Sequence, residues 1–361
     1  MKYLYQVILP KNEDNIEKIG VIDGLRGIAI LGVIYHHTVC SQIYALIPFP
    51  NIVRSGWLGV NLFFILSGFV LFRPYLLGKR EMQSWADVRS FYKHRFQRLY
   101  PLFTLNCLVA FLFVAKPSPE NFKSLCLTLS SLNAYMPNHG FFPVFNWVLW
   151  SLIVEIWFSL FFPVLLFLLQ KKGYVITTLL CMFIPLGIKY FGVAYYPQMN
   201  LLKHGWFCRI DDFWVGICVC KLYYDNSKIA AKNPYLLFFI GLFLSVIAMF
   251  LYDIRRRGMS TVYIEPMLYT LIQAGFGLLV LSALKGGNIW SKICNIWILR
   301  IFGVMCFSLY VWHGIIMPSF IHEETLREYL PYFFFTLLFS IVSYRFIEFG
   351  QVKDWKKLFL I

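Results

Sequence analysis

The chain has 361 residues, of which 59% are hydrophobic, 19% aromatic and only 14% charged, and its mean hydropathy is +0.64. An apolar share this far above that of soluble domains excludes a soluble enzyme and reads as an all-α, polytopic membrane protein, one integral membrane domain over residues 1–361. The formal charge of +15 does not point to nucleic acid, because the basic residues are scattered between apolar segments rather than gathered on one face.

Residues 1–20 form an N-terminal segment with a short apolar run, mixed charges and no small-residue cleavage site, so they are not a signal peptide. Hydropathy and chain breakers predict about ten transmembrane helices, near 22–46, 57–77, 99–115, 147–169, 174–193, 206–222, 235–252, 262–284, 300–318 and 329–349. Lys and Arg predominate in the loops on the side of the two termini, which places both termini, including the tail 350–361, in the cytoplasm. The nine cysteines lie mostly in apolar runs without a CxxC pair and read as buried apolar residues, with no metal site.

The first span, RGIAILGVIYHH, carries Arg26, His36 and His37 into apolar surroundings. At about 100° per residue His37 falls about 20° from Arg26 around the helix and His36 about 80° to the other side, while about 16 Å of rise separates Arg26 from His37. Arg26 and His37 therefore share a face at different depths. A neutral imidazole there has a lone pair free to take a proton from a hydroxyl. The commoner use of a lone intramembrane histidine is a helix–helix hydrogen bond, the role assigned to His36. Arg26 has two candidate partners, Asp23 or an anionic ligand.

The second span opens GWLGVNLFFILSGF, where Gly56, Gly59, Ser67 and Gly68 make a small-residue edge for close helix packing. The most basic loop follows, from Arg73 to HRFQRLYP, with Arg95 and Arg98 three apart on one helix face at the predicted cytoplasmic surface. Paired guanidiniums there suit phosphates or anionic lipid headgroups. Residues 116–146 are too polar to span, and a short helix on or in the outer face is expected there.

In the fourth span Glu155 stands among Leu, Ile, Val and Trp. It either orients a histidine or pairs with Arg26 or Arg209. In the sixth span Arg209 and Asp212 are spaced as an ion pair, and in the last Tyr344, Arg345 and Glu348 share adjacent helix positions with an ion pair expected. Arg255, Arg256 and Arg257 fall on the outer side, against the charge bias: either a neighbouring span is misplaced or that loop binds something acidic.

Taken in order, IDGLRGIAILGVIYHH, GWLGVNLFFILSGFVL, HRFQRLYPLF, WSLIVEIWFSLFFP, FSLYVWHGII and SYRFIE resemble the acyltransferase family 3 of integral membrane acyltransferases, whose members O-acylate carbohydrates and related molecules. The family's Arg-x10-His pattern matches Arg26 and His37, and its Arg-x2-Arg pattern matches Arg95 and Arg98. The resemblance implies a bacterial cytoplasmic-membrane enzyme with no permanently bound cofactor. Acetyl-CoA or another acyl-CoA would enter from the cytoplasm as donor. The acceptor would be a hydroxyl of a glycan such as lipopolysaccharide O-antigen, capsule or exopolysaccharide.

It also implies His37 as base or acyl-handling residue, Arg26 in the pocket, Arg95 and Arg98 on the donor phosphates, and Glu348 as a polar residue of the last span's signature. Glu155 is added as a catalytic candidate, Ser67, Tyr310 and Ser151 as oxyanion donors, and His313 as a further pocket residue. Two positions depart from the family's pattern: Asn61 where many members carry Asp, and Phe349–Gly350 after Glu348. Some members carry a fused periplasmic hydrolase-like domain, for which this chain leaves no room after the last predicted span. The main rival reading is a transporter or flippase of a lipid-linked sugar, which also uses buried Arg, His, Glu and Asp but predicts inverted repeats that the sequence does not display.

Overall fold

The computed structural model of the chain describes residues 19–38, 55–115, 117–136, 140–225, 233–256, 262–321 and 326–348. Among them, eleven helices of at least eight residues follow in chain order: α1 Gly20–Thr38, α2 Gly59–Leu76, α3 Trp85–Ala110, α4 Pro119–Leu129, α5 Trp150–Tyr195, α6 Trp206–Tyr224, α7 Pro234–Arg256, α8 Glu265–Lys285, α9 Trp297–Val304, α10 Cys306–Phe320 and α11 Leu326–Ser343. The protein is all-α among the described residues. Phe239, Phe243 and Phe250 on α7 and Phe334 and Phe339 on α11 are exposed outward, as lipid-facing surfaces require.

Six helical stretches are long and apolar enough to cross a membrane: Ser55–Leu76, Trp85–Ala115, Trp147–Tyr195, Pro234–Arg255, Glu265–Lys285 and Arg327–Glu348. The pair α9 and α10, bent by 71°, makes a seventh if counted as one broken span. The expected ten is therefore corrected, for two physical reasons. The predicted spans 147–169 and 174–193 run on as α5, interrupted only at Gly173, whose φ of 77° is left-handed. The predicted spans 22–46 and 206–222 do form α1 and α6, but Asp23, Arg26, His36 and His37 in one and Arg209, Asp211, Asp212 and Lys221 in the other make them too polar to count. Residues 39–46 of the first expected span lie outside the described residues.

The predicted basic loop is shorter than expected. A capping box at Ser84 and Asp87 starts α3 well before residue 99, so Arg95 and Arg98 ride on a helix. The short helix expected within 116–146 is α4, with Ser118 as its N-cap and Pro119 at its first turn.

The core is built around α1, whose Leu25, Ile30 and Val33 are fully buried. Glycines let neighbouring backbones touch it. A Cβ on Gly24 or Gly27 would collide with the carbonyls of Cys294 and Leu299, and one on Gly303 of α9 with the carbonyl of Asp23. On the opposite flank Gly56 lies against Gly32, and Gly59 against Ala29. The same device joins α2 to α6, where Gly68 meets the Phe213 carbonyl and Gly216 the Ile65 carbonyl. The small-residue edge expected in the second span is thus used by two partners, α1 and α6.

α10 is set in depth by polar clamps. Asn106 of α3 and Asn146 both donate to the Val311 carbonyl at 2.9 Å, and Trp312 donates to Ser343 of α11 at 2.9 Å. These bonds position α10 against α3, Asn146 and α11.

Close packing makes a measurable difference between two helical glycines. Gly216→Leu should cost about 1–3 kcal/mol by overpacking and lower the melting temperature of detergent-purified protein, whereas Gly187→Ala, with open space around it, should leave it unchanged or slightly raised.

Candidate active site

His37 sits one residue from the end of α1 and His313 in the middle of α10. The two are 276 positions apart in the chain, yet Nδ1 of His37 lies 2.9 Å from Nε2 of His313, with the rings nearly coplanar. His313 is fully buried, and its Nδ1 lies 2.6 Å from the Tyr310 carbonyl and 3.3 Å from that of Leu309. A carbonyl can only accept, so in the neutral ring Nδ1 of His313 carries the proton and Nε2 is the acceptor. His37 must then donate through Nδ1, which leaves Nε2 of His37 with its lone pair outward. The rings of Trp147, at 4.6 Å between centroids, and His36, at 5.1 Å, flank it edge-on.

The hydroxyls expected beside this centre have partners of their own. Tyr310 donates to the Val148 carbonyl at 2.6 Å and accepts from Ser151 at 2.7 Å, so the proton of each is committed to the scaffold. Ser67 donates instead to Glu155 at 3.1 Å.

Glu155 belongs to a second cluster and, among the described residues, bonds no histidine. Its carboxylate accepts from Arg95 at 2.9 Å, and Arg95 also donates to Ser159 at 3.0 Å. Its partner is therefore Arg95, not Arg26 or Arg209. Arg98, one turn along α3, faces Arg95, Arg26, Glu155 and Glu348. Part of the Arg98 side chain remains exposed beside these groups. Among the described residues no carboxylate comes within ion-pair distance of Arg98. Arg26 takes the first of its two expected partners, Asp23, at 3.9 Å. Glu348, in the π-helical turn Tyr344–Glu348 that follows α11, accepts from Ser308 of α10.

Arg26, Arg95, Arg98, Glu155 and Glu348 thus gather toward one end of α1 and the two histidines at the other. The eleven residues of helix between Arg26 and His37 separate the ends by about 16 Å. Between them on that face of α1, Ile30 and Val33 are fully buried.

A third polar group lies apart from both. Arg209 and Asp212 form the expected pair at 3.3 Å, and Asn61 donates to Asp212 at 3.0 Å. An aspartate at position 61 would place a second carboxylate against Asp212, which accounts for the amide there. Arg209 also bonds His204 at 2.8 Å and covers the Tyr269 ring at 4.5 Å, and Lys189 pairs with Asp211. Sequence reasoning missed Lys189, Asp211, His204 and the Asn106–Asn146 clamp. For Lys189 a signal existed, a lone cation in an apolar run; for the asparagines there was none. Arg255 pairs with Glu265 at the start of α8, while the side chain of Arg256 and all of Arg257 lie outside the described residues.

Comparison with known proteins agrees with the sequence motifs. The profile of an acyltransferase domain family, acyltransferase family 3, matches residues 19–345. "Putative O-acetyltransferase SACOL0978" of Staphylococcus aureus strain COL is 26% identical over 356 residues, covering 91% of this chain and 56% of its own length. The O-acetyltransferase OatA of Staphylococcus aureus strain NCTC 8325 is 26% identical over 361 residues with the same coverage. "Putative acetyltransferase ORF330" of Acidianus two-tailed virus is 26% identical over 305 residues, 80% of each chain. The chain spans little more than half the length of the staphylococcal relatives. No solved structure matches. With the family's profile running through nearly every described helix, from the start of α1 into the last helical turn, the chain belongs to the acyltransferase family 3 of membrane acyltransferases.

Proposed function

We propose that the protein is a membrane O-acyltransferase that moves an acyl group, acetyl in the first instance, from acyl-CoA to a hydroxyl of a surface or lipid-linked glycan. The observation that carries this reading is the histidine pair, which leaves a nitrogen with an unused lone pair at one end of α1 while Arg26, Arg95 and Arg98 gather toward the other. The donor's phosphates bind at Arg98, with Arg26 beside it, on the side assigned to the cytoplasm. About 16 Å of helix rise separates Arg26 from His37, a gap that an extended pantetheine arm can bridge.

Nε2 of His37 takes the proton of the acceptor hydroxyl as the oxygen forms its bond to the thioester carbon. The carbon–sulfur bond then breaks, and the proton passes from His37 to the departing thiolate. During the step His313 holds the His37 ring through Nδ1–H and disperses the imidazolium charge toward the Tyr310 and Leu309 carbonyls. His37 is the catalytic base and His313 its positioning residue. Arg95 and Glu155, bonded to each other, stand beside Arg98. The transport reading has no comparable use for a histidine whose tautomer is set by a second, fully buried histidine.

Membranes supplied with labelled acetyl-CoA test the chemistry. His37→Ala should lower transfer of label to glycan by about 10²–10⁴-fold at unchanged expression. His313→Leu should lower kcat by up to about a hundredfold through misplacement of the base. His313→Gln, whose amide oxygen can still accept from His37, should recover part of the loss. Full transfer in His37→Ala would end the proposal.

The two arginines should part company. Arg98→Ala should raise the KM for acetyl-CoA by about 10–100-fold through loss of a charge-assisted bond to phosphate. Arg95→Ala should act first on thermal stability, because it strands Glu155 without its cation. The double variant Arg95→Met with Glu155→Gln should regain stability lost by Arg95→Ala alone.

A further inference from the structure

The first half of α3 carries a cationic and aromatic stripe that the chemistry described above does not use. At about 100° per residue Trp85, Arg89, Lys93 and Phe96 fall within about 80° of one another around the helix, and Arg98 falls about 180° from the middle of that stripe. All four are exposed, Trp85 by 86% and Phe96 by 58%. Arg89 and Lys93 stand one turn apart with like charge, an arrangement that weakens a helix until an anion settles beside both. Among the described residues neither has a carboxylate within ion-pair distance. Asp87, the carboxylate nearest to them in the chain, is taken up by the capping box and accepts from Gln83 and Ser84.

The same segment is fastened to the bundle beside an outward apolar surface. Phe91 is buried against Phe162 of α5, and Tyr92 donates to the Leu160 carbonyl at 2.7 Å. Leu160 is exposed, and so are Val164 and Phe167 in the following turns of this membrane-length helix. Cations held beside such a surface must reach the headgroups, and long Lys and Arg side chains do so by extending along the hydrocarbon boundary.

We propose that this stripe binds the phosphate of an anionic phospholipid of phosphatidylglycerol type. The Arg89 guanidinium and the Lys93 ammonium donate charge-assisted hydrogen bonds to its oxygens. Trp85 and Phe96 close the two ends of the stripe at the level where aromatic rings sit between headgroup and acyl chain. A zwitterionic headgroup suits the pair less well, because its own ammonium already neutralises the phosphate and would face two further cations. A free phosphate ion would satisfy the cations but leave both rings uncovered. The site is separate from Arg98, which lies on the other side of the helix, so lipid and acyl donor do not compete for one cation. The inference is independent of the acyl-transfer chemistry.

The test places the full chain in nanodiscs of phosphatidylcholine with a minor fraction of phosphatidylglycerol, washes it in lipid-free detergent and counts retained lipid by native mass spectrometry. The wild type should retain phosphatidylglycerol in preference to phosphatidylcholine. Arg89→Gln with Lys93→Gln should lower that retention about tenfold or more, while Lys172→Gln with Lys292→Gln, which removes the same charge at two other exposed positions, should stay within about twofold of wild type. Trp85→Ala should lower retention severalfold at unchanged net charge. Equal loss in the two double variants would reduce the effect to diffuse attraction and overturn the site. Displacement of the lipid by millimolar inorganic phosphate would make it a free-anion site, and wild-type retention in Trp85→Ala would leave the rings without a part; either result also overturns the proposal.

Discussion

A polar group carried into hydrocarbon has no water to turn to and must be bonded by the protein. In this chain that requirement sorts the ionisable side chains into those with a partner and those with a task. Arg95 has Glu155, Arg209 has Asp212 and His204, Lys189 has Asp211, and Arg255 has Glu265. Among the described residues Arg98 has no carboxylate within ion-pair distance, and Nε2 of His37 keeps its lone pair through the way His313 is held. The proposed function rests on these two groups.

The histidine pair depends in turn on how closely backbones approach. A bond of 2.9 Å between side chains on α1 and α10 tolerates little drift in either helix. α1 is gripped on one flank by Cys294 at Gly24 and by α9 through Gly27 and Gly303, and on the other by Gly56 and Gly59. α10 is hung from the Val311 carbonyl by two asparagines. Gly314 completes the fit, since a Cβ there would collide with the Asn146 side chain. Packing precision without chemistry of its own is therefore what makes the proposed chemistry possible, and it explains why residues far from any reacting atom matter to the site.

The separation of roles along α1 gives the molecule a direction. Its cationic end and its histidine end are about three helical turns apart. The proposed transfer from a cytosolic thioester to a glycan would use such a division. A flat site accessible from a single side would bring the phosphates and the sugar to the same surface.

Much of this was legible in the sequence, for stated reasons. Composition and hydropathy determine the membrane-embedded, all-helical class, because lipid admits few other backbones for such a chain. Helix periodicity determines that Arg26 and His37 share a face, and the ordered motifs determine the family. The number of spans was over-read, since two predicted spans run on as α5 and two others, α1 and α6, are helices built on paired polar groups. The partners were not legible. Glu155 chose Arg95 over Arg26, and His313, a bare histidine in an apolar run, became the residue that sets the tautomer of His37. Local sequence encodes which groups are costly to bury, because that cost belongs to each residue; which group meets which is decided only in the folded bundle, because a partner 276 positions away leaves no trace in the spacing.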